Sequence, residues 1–312
     1  MNNTEPQKHN WLQKIFLSTN EPRLRAGWRL ALHTILLIVI TPLAGIVFFI
    51  PIGLFKIGFD SPLALAANEL SMLVGITAST FIARRFLDKR SVISLGLKPD
   101  FLAAKDVFVG MLIPLFQIGL IFGIEIGLGW TKFDGFAWQT EPAPTILARL
   151  GLWLVIFLIV GWQEELLSRG YQLQNLESGL NLFWAVLISS SIFGFLHIFN
   201  NGATWISTLG IFLAGLFLAL PFILTRQLWL SIGIHIGWNF FEGVVFGFPV
   251  SGSDTFHLLR HTVSGPELWT GGIFGPEAGL LVIPALLLGS ALIFAYARHV
   301  PRGSDFRNNH SG

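Results

Sequence analysis

The 312-residue chain contains no cysteine. Disulfide bridges, a thiolate nucleophile and a cysteine metal site are therefore excluded. Charge is also scarce, at 12% of residues, against roughly 25% in an average soluble domain. No removable signal peptide is expected, because the polar and basic first 29 residues show no small-residue cleavage site behind a short apolar core. Soluble domains, low-complexity tracts and internal repeats are not apparent. Hydrophobic residues make up 53% of the chain and come in long blocks, each with about the 20 residues that cross a hydrocarbon core of roughly 30 Å.

These blocks predict an all-α, polytopic transmembrane bundle of about eight spans, one unit over residues 30–300, with a basic tail at 1–29 and another at 301–312. The expected spans are Leu30 to Ile50, Leu63 to Phe86, Val107 to Trp130, Ile146 to Leu167, Leu182 to Phe199, Ile206 to Leu224, Leu228 to Phe248 and Phe274 to Ala297. Lysine and arginine are retained on the cytoplasmic side of a membrane. Sixteen of the twenty fall on one side of this arrangement, including Lys8, Arg25, Arg84, Arg302 and Arg307 in tails and loops, with Arg169 and Arg226 at the fourth and sixth loops. Lys56, Lys132, Arg149 and Arg260 fall opposite. An even number of spans with both termini cytoplasmic satisfies the bias. The net charge of +2 says nothing about nucleic acid; the positive charge belongs to the membrane surface, where it faces anionic headgroups.

Two segments that mix apolar and basic residues, 11–17 (WLQKIFL) and 91–107 (SVISLGLKPDFLAAKDV), are expected to lie at the membrane surface. The loop at 251–272 is rich in Gly, Pro and Ser and is expected to form turns. Its His257 and His261, four apart, read as loop residues rather than a metal pair, since no third ligand lies near them in sequence.

A charge at bilayer depth is costly and marks function by default. Glu69 and Glu125 stand alone in their spans and are expected to make interhelix hydrogen bonds or to sit near an interface. Glu164, Glu165 and Arg169 close the fourth span, His197 ends the fifth, and His235, Asn239 and Glu242 line the seventh. Glu165 and Arg169 have the favourable i, i+4 order for a helical ion pair. Glu164, about 100° further around, is left free. His235 and Asn239 share a face, and Phe193 and His197 repeat their spacing. Counting from a turn at Gly179, Glu164 and His197 lie at similar depth, roughly 22 to 27 Å at 1.5 Å per residue. The polar run from Arg169 to Glu177 suggests a hairpin reaching into the cytoplasm, with Glu164 one or two turns below the surface and the pocket open to that side.

A carboxylate and two imidazoles around a wet cavity suit amide hydrolysis: Glu164 takes a proton from water, His197 orients that water, and His235 with Asn239 donates to the oxyanion. Glu164, His197 and His235 also make a three-ligand set of zinc type, but no HExxH occurs and Glu165 is occupied by Arg169. The metal-free reading, with no cofactor, is therefore preferred to one using a divalent ion such as zinc.

These residues resemble the CAAX protease and bacteriocin-processing family of intramembrane endopeptidases. Its motifs EExxxR, FxxxH and HxxxN/D read here as Glu164-Glu165-Leu-Leu-Ser-Arg169, Phe193-Gly-Phe-Leu-His197 and His235-Ile-Gly-Trp-Asn239. The similarity covers roughly residues 145–245, with looser likeness in SLGLKP and TGGIFGPEAG. The resemblance implies a bundle of about eight helices, catalysis by Glu164, His197, His235 and Asn239, and support from Glu165, Arg169 and Phe193. Members are often called metalloproteases, although a metal-free glutamate mechanism has been argued for them. The composition is similar to bacterial members, which implies a bacterial plasma membrane and a membrane-associated peptide or protein substrate, with prenylated substrates not favoured. A transporter or proton pathway remains the alternative from another class, although paired repeats with interrupted helices are not evident. A non-catalytic scaffold or immunity protein is the third reading, against which the intact motifs weigh.

Overall fold

The structure, a computed structural model, describes residues 11–18, 21–59 and 61–300. Lys8, Arg302 and Arg307 lie outside them. A short helix α1 (Trp11–Phe16) precedes the long apolar α2 (Ala26–Leu54) and α3 (Pro62–Ile82), which runs on through a π-helical turn at Ala83–Leu87. After a 3-10 turn (Val92–Leu95) come α4 (Phe101–Gly127), strand β1 (Thr131–Phe136) and α5 (Ala143–Glu165). A π-helical stretch, Leu166–Gln172, joins α5 to α6 (Leu173–Gly179). Then follow α7 (Leu182–Leu196), α8 (Trp205–Thr225), α9 (Trp229–Asn239) with a π-helical turn Phe240–Val245, β2 (Leu259–Val263), α10 (Glu267–Thr270) and α11 (Val282–His299).

Polar residues start several of these helices by accepting hydrogen bonds from their otherwise unpaired first N–H groups. Ser61 Oγ accepts from Ala64 N–H at 3.2 Å, Asp100 Oδ1 from Ala103 N–H at 3.0 Å and Asn181 Oδ1 from Trp184 N–H at 3.1 Å. Between the caps the sequence is apolar enough that seven helices among the described residues could cross a membrane by length and composition. The expected seventh span is the difference. Trp229–Val245 is 17 residues long, about 25 Å, and every residue from Leu230 to Asn239 is buried. It is a core helix wrapped by α4, α5 and α8.

Glycine makes that burial possible. A Cβ at Gly233 would stand 2.4 Å from Val107 O, and one at Gly237 2.3 Å from Met111 O. The backbones of α9 and α4 thus touch directly, as small residues permit in membrane bundles. His235 and Asn239 are each two residues, about 200°, from these glycines. One face of α9 is sealed against α4, and the opposite face carries the polar groups.

The ends of the helices sort by charge. Arg29 and Arg84 both bond Asp88, at 2.9 and 3.0 Å, and Arg29 also reaches Ser178 Oγ at 2.7 Å. Arg226 pairs with Glu177 at 2.8 Å, and Tyr296 O–H donates to Asp106 at 2.8 Å. These contacts bring together the start of α2, the end of α3, the start of α4, and the ends of α6, α8 and α11. The described chain therefore enters and leaves at one, basic, end. At the other end β1 and β2 pair antiparallel, Thr131 opposite Val263, and Glu141 binds Arg149 and Arg260.

Three expectations are corrected. Arg169 is not in a loop: it is buried, as is Asn175, because the chain continues helical to Gly179 and packs on α2 and α7. Residues 91–107 are not simply a surface anchor, since Leu95 and Leu97 are buried in a core cluster with Leu166, Leu173 and Leu228. The loop at 251–272 is not turns alone; it supplies β2 and α10.

Candidate active site

A cavity of about 520 Å³ lies between α3, α5, α7, α8 and α9, closed by residues 250–255 and by Glu277. Trp153, Ile156, Phe157 and Val160 line one wall from α5; Glu69, Glu164, Asp254 and Glu277 are its acids, and no Lys or Arg lines it. Glu164 stands 13 residues before Glu177 at the basic end, about 20 Å along the helix. Leu65 and Glu69, near the start of α3, and the 250–255 loop line the cavity as well. The cavity therefore sits toward the end opposite the basic one, deeper than one or two turns below the basic end. The expectation failed because the polar run from Arg169 to Glu177 packs inside the protein.

Glu164, His197, His235, Asn239 and Phe193 all line this cavity. His197 Nε2 and His235 Nε2 stand 3.8 and 3.7 Å from the same atom, Glu164 Oε2. Glu164 Oε2 is buried and has no hydrogen-bond partner. The other ring nitrogens are fixed. His197 Nδ1 lies 2.8 Å from Phe193 O; a carbonyl only accepts, so Nδ1 carries the proton and Nε2 is left as an acceptor. His235 Nδ1 lies 2.8 Å from Glu165 Oε1. That oxygen also accepts from Arg169 Nη1 at 2.8 Å, while Arg169 Nη2 donates to Gly215 O at 2.9 Å.

The two glutamates thus face different surroundings. Glu165 is fully buried, its charge shared by a guanidinium and an imidazole; Glu164 is 28% exposed and opens on the cavity. Phe193 sits between the sets, with the Arg169 guanidinium 4.5 Å from its ring centroid and the His197 ring 4.8 Å away. Helical geometry changes at two of the motifs: one π-helical stretch begins at Leu166, directly after Glu165 and including Arg169, and another at Phe240, directly after Asn239. Such bulges concentrate at functional sites.

Other residues singled out from the sequence lie apart from this group or at its edge. Glu69 accepts from Gln163 Nε2 at 3.0 Å and lines the cavity, and Glu125 accepts from Thr131 Oγ1 at 2.5 Å. Glu242 is fully buried on the π-helical turn after α9 and does not line the cavity. His261, in β2, is not a solvated loop residue, as its ring packs 4.6 Å from that of Phe248. His257 pairs with Asp254 at 2.9 Å. Glu277, Ser251 and Asn200, also in the cavity wall, were not singled out from sequence. The only signal was the family-like stretch TGGIFGPEAG that contains Glu277.

Among the described residues no group of three or more His, Cys, Asp or Glu side chains is arranged to hold a metal ion. The zinc-type set of Glu164, His197 and His235 has nitrogen–oxygen separations of 3.7 and 3.8 Å.

Residues 146–241 match the family described as Rce1-like, Type II CAAX prenyl endopeptidase Rce1-like. No curated protein matches the chain. The matched segment includes all three motifs, from Glu164 to Asn239, and excludes Ser251 and Glu277. This part of the chain is similar to the Rce1-like domain of the CAAX-protease kind. That similarity, together with seven helices among the described residues that are long and apolar enough to cross a membrane, points to a membrane protease.

Proposed function

We propose that the protein is an intramembrane endopeptidase in which Glu164 activates water for hydrolysis of a peptide bond in a membrane-associated protein or peptide. The carrying observation is the triangle at Glu164 Oε2, 3.7 Å from His235 Nε2 and 3.8 Å from His197 Nε2. These separations are too long for direct hydrogen bonds, and one water at hydrogen-bond distance from each atom spans them. Such a water gives one proton toward Glu164 and the other toward the His197 Nε2 acceptor, which leaves an oxygen lone pair for the carbonyl.

As the water oxygen bonds the carbonyl carbon, Glu164 takes its proton. Negative charge develops on the former carbonyl oxygen. An imidazolium His235, its Nδ1–H held by Glu165, offers Nε2–H to that oxygen, and the Asn239 amide offers a second donor. The carbon–nitrogen bond then breaks as Glu164 returns its proton to the leaving amine. Glu165 does not serve as the base: it does not line the cavity, and its charge is balanced at Oε1 by Arg169 and His235. A metal held by Glu164, His197 and His235 would make Glu164 a ligand rather than the base, so the reading uses none.

Glu164→Gln tests it. The variant should insert and fold, but peptides released from membranes of cells carrying the wild type should be missing from cells carrying the variant. Normal turnover of a verified substrate by Glu164→Gln would refute the assignment. We place the protein in a bacterial plasma membrane with its basic end, and both termini, facing the cytoplasm; a periplasmic signal from reporters fused at the termini would reverse the orientation.

A further inference from the structure

One wall of the cavity is built from three segments distant in sequence: the turn that ends α7, residues 249–253, and residues 272–278. Ser251 lies where they meet. Its φ of +46° is a left-handed conformation, unfavourable for a residue with a side chain. Hydrogen bonds hold it there. Its N–H and its hydroxyl both donate to Glu277 Oε2, at 2.7 and 2.6 Å, and its carbonyl accepts from Asn200 Nδ2 at 3.0 Å. Asn200 N–H in turn donates to His197 O at 3.1 Å. The chain Glu277–Ser251–Asn200–His197 ends on the residue whose ring is fixed by Phe193 O.

The surroundings leave this wall little freedom. Gly252 N–H donates to Phe274 O at 2.8 Å, and Gly210 of α8 packs so closely on Glu277 that a Cβ there would stand 1.8 Å from its carbonyl. Glu277 is 5% exposed. Burying a carboxylate is costly unless it is fully bonded, and no Lys or Arg lines the cavity beside it. A turn needs no such group for its own closure.

We propose that Glu277 is a positioning residue for His197: through Ser251 and Asn200 it sets the turn at the end of α7, and so the direction from which His197 Nε2 faces Glu164. The significance of that direction rests on the reading of Glu164 and His197 as the water site. Glutamine at 277 retains an oxygen able to accept both Ser251 bonds; alanine does not. Simple stapling of a loop would alter thermal stability alone, whereas positioning alters the chemical step and the state of the His197 ring.

The test compares wild type, Glu277→Gln, Glu277→Ala and Ser251→Ala in detergent micelles. Turnover is followed on a peptide whose release depends on Glu164, and the His197 ring by ¹⁵N NMR assigned with His197→Gln. Glu277→Ala should lower kcat about 10- to 100-fold, the range for a misaimed group, with KM little changed, and should mix the His197 tautomers. Glu277→Gln should stay within about threefold of wild type on the same scale, its His197 signal keeping a protonated Nδ1. Should Glu277→Ala fail to fold, Ser251→Ala removes a single bond and should give a smaller kcat loss of the same kind.

Wild-type kcat and an unaltered His197 signal in a folded Glu277→Ala, or in Ser251→Ala where that is the variant that folds, would overturn the proposal. Equal losses in Glu277→Gln and Glu277→Ala would also overturn it, by assigning the effect to charge. If Glu164→Gln itself keeps turnover, the water-site reading fails, while the NMR comparison still decides whether the brace holds His197.

Discussion

Removing the Arg169 guanidinium should destabilise the protein through the carboxylate it leaves behind. Arg169 and Glu165 are both essentially excluded from solvent. Arg169→Ala deletes the 2.8 Å bond to Glu165, the 2.9 Å bond to Gly215 O and the contact with the Phe193 ring. Glu165 then keeps only His235. Breaking a buried pair by deleting one partner costs about 3–5 kcal/mol, because a buried charge is left uncompensated. At the per-residue unfolding entropies of folded domains this corresponds to a fall in melting temperature of about 5–8 °C. The assay is thermal unfolding in detergent micelles, read from tryptophan fluorescence. Arg169→Lys should fall between, since an ammonium lacks the planar fork that bonds Glu165 and Gly215 O together.

The double variant Glu165→Gln/Arg169→Ala separates stranded charge from lost packing. With no carboxylate to strand, it should melt above Arg169→Ala alone. The reasoning is refuted if Arg169→Ala melts within about 1 kcal/mol of wild type, the scale of an exposed pair, or if the double variant is no more stable than the single one.

Chelation of the purified protein should leave peptide turnover intact; activity lost to a chelator and restored only by zinc would replace the water site with a metal site. Burial, aided by neighbouring His257, pushes the His261 imidazole down to about 4 from the usual 6.5. Between those values the unfolded chain binds more protons than the folded one, so stability rises with pH through that window and is lost on acidification from 7 to 4. The loss should be about 2 kcal/mol after allowance for partial exposure. His261→Phe, which suits the Phe122 and Phe248 surroundings, should flatten that part of the stability–pH curve, and an unchanged slope would refute the assignment. Gly237→Ala forces a Cβ to 2.3 Å from Met111 O; it should cost about 1–3 kcal/mol and reduce turnover by shifting His235 and Asn239, and a wild-type melting temperature would show that the α4–α9 contact yields freely.

What could be read from the sequence was local. Glu165 and Arg169, Phe193 and His197, and His235 and Asn239 are each four residues apart, so helix geometry alone groups them. The matched family segment, residues 146–241, contains all three motifs. Features that depend on distant partners were not legible. The strand TKFDGF at 131–136 has no apolar alternation, and its partner at 259–263 lies about 130 residues on. The polar stretch from Arg169 to Asn175 looks like a surface hairpin until Asp88, Gly215 and Leu95 are brought against it. Glu277 gave no periodic signal, because its significance depends on Ser251 and Asn200 from two other segments. Nor did any residue type announce that α-helical spacing gives way to π-helical turns after Glu165 and Asn239.

The short α9 explains why charge can be used at this depth. A helix that meets lipid needs about 20 apolar residues, and polar groups on it must turn inward at a cost. α9 is released from that length because α4, α5 and α8 cover it, and it meets α4 backbone to backbone through Gly233 and Gly237. Its remaining face, carrying His235 and Asn239, then opens on the cavity beside Glu164 while the buried Glu165–Arg169 pair anchors His235 from behind. The alternation of glycine with histidine and asparagine in GIHIGWN thus performs two tasks at once: each glycine closes the helix against its neighbour, and each polar residue two positions on is turned to the cavity.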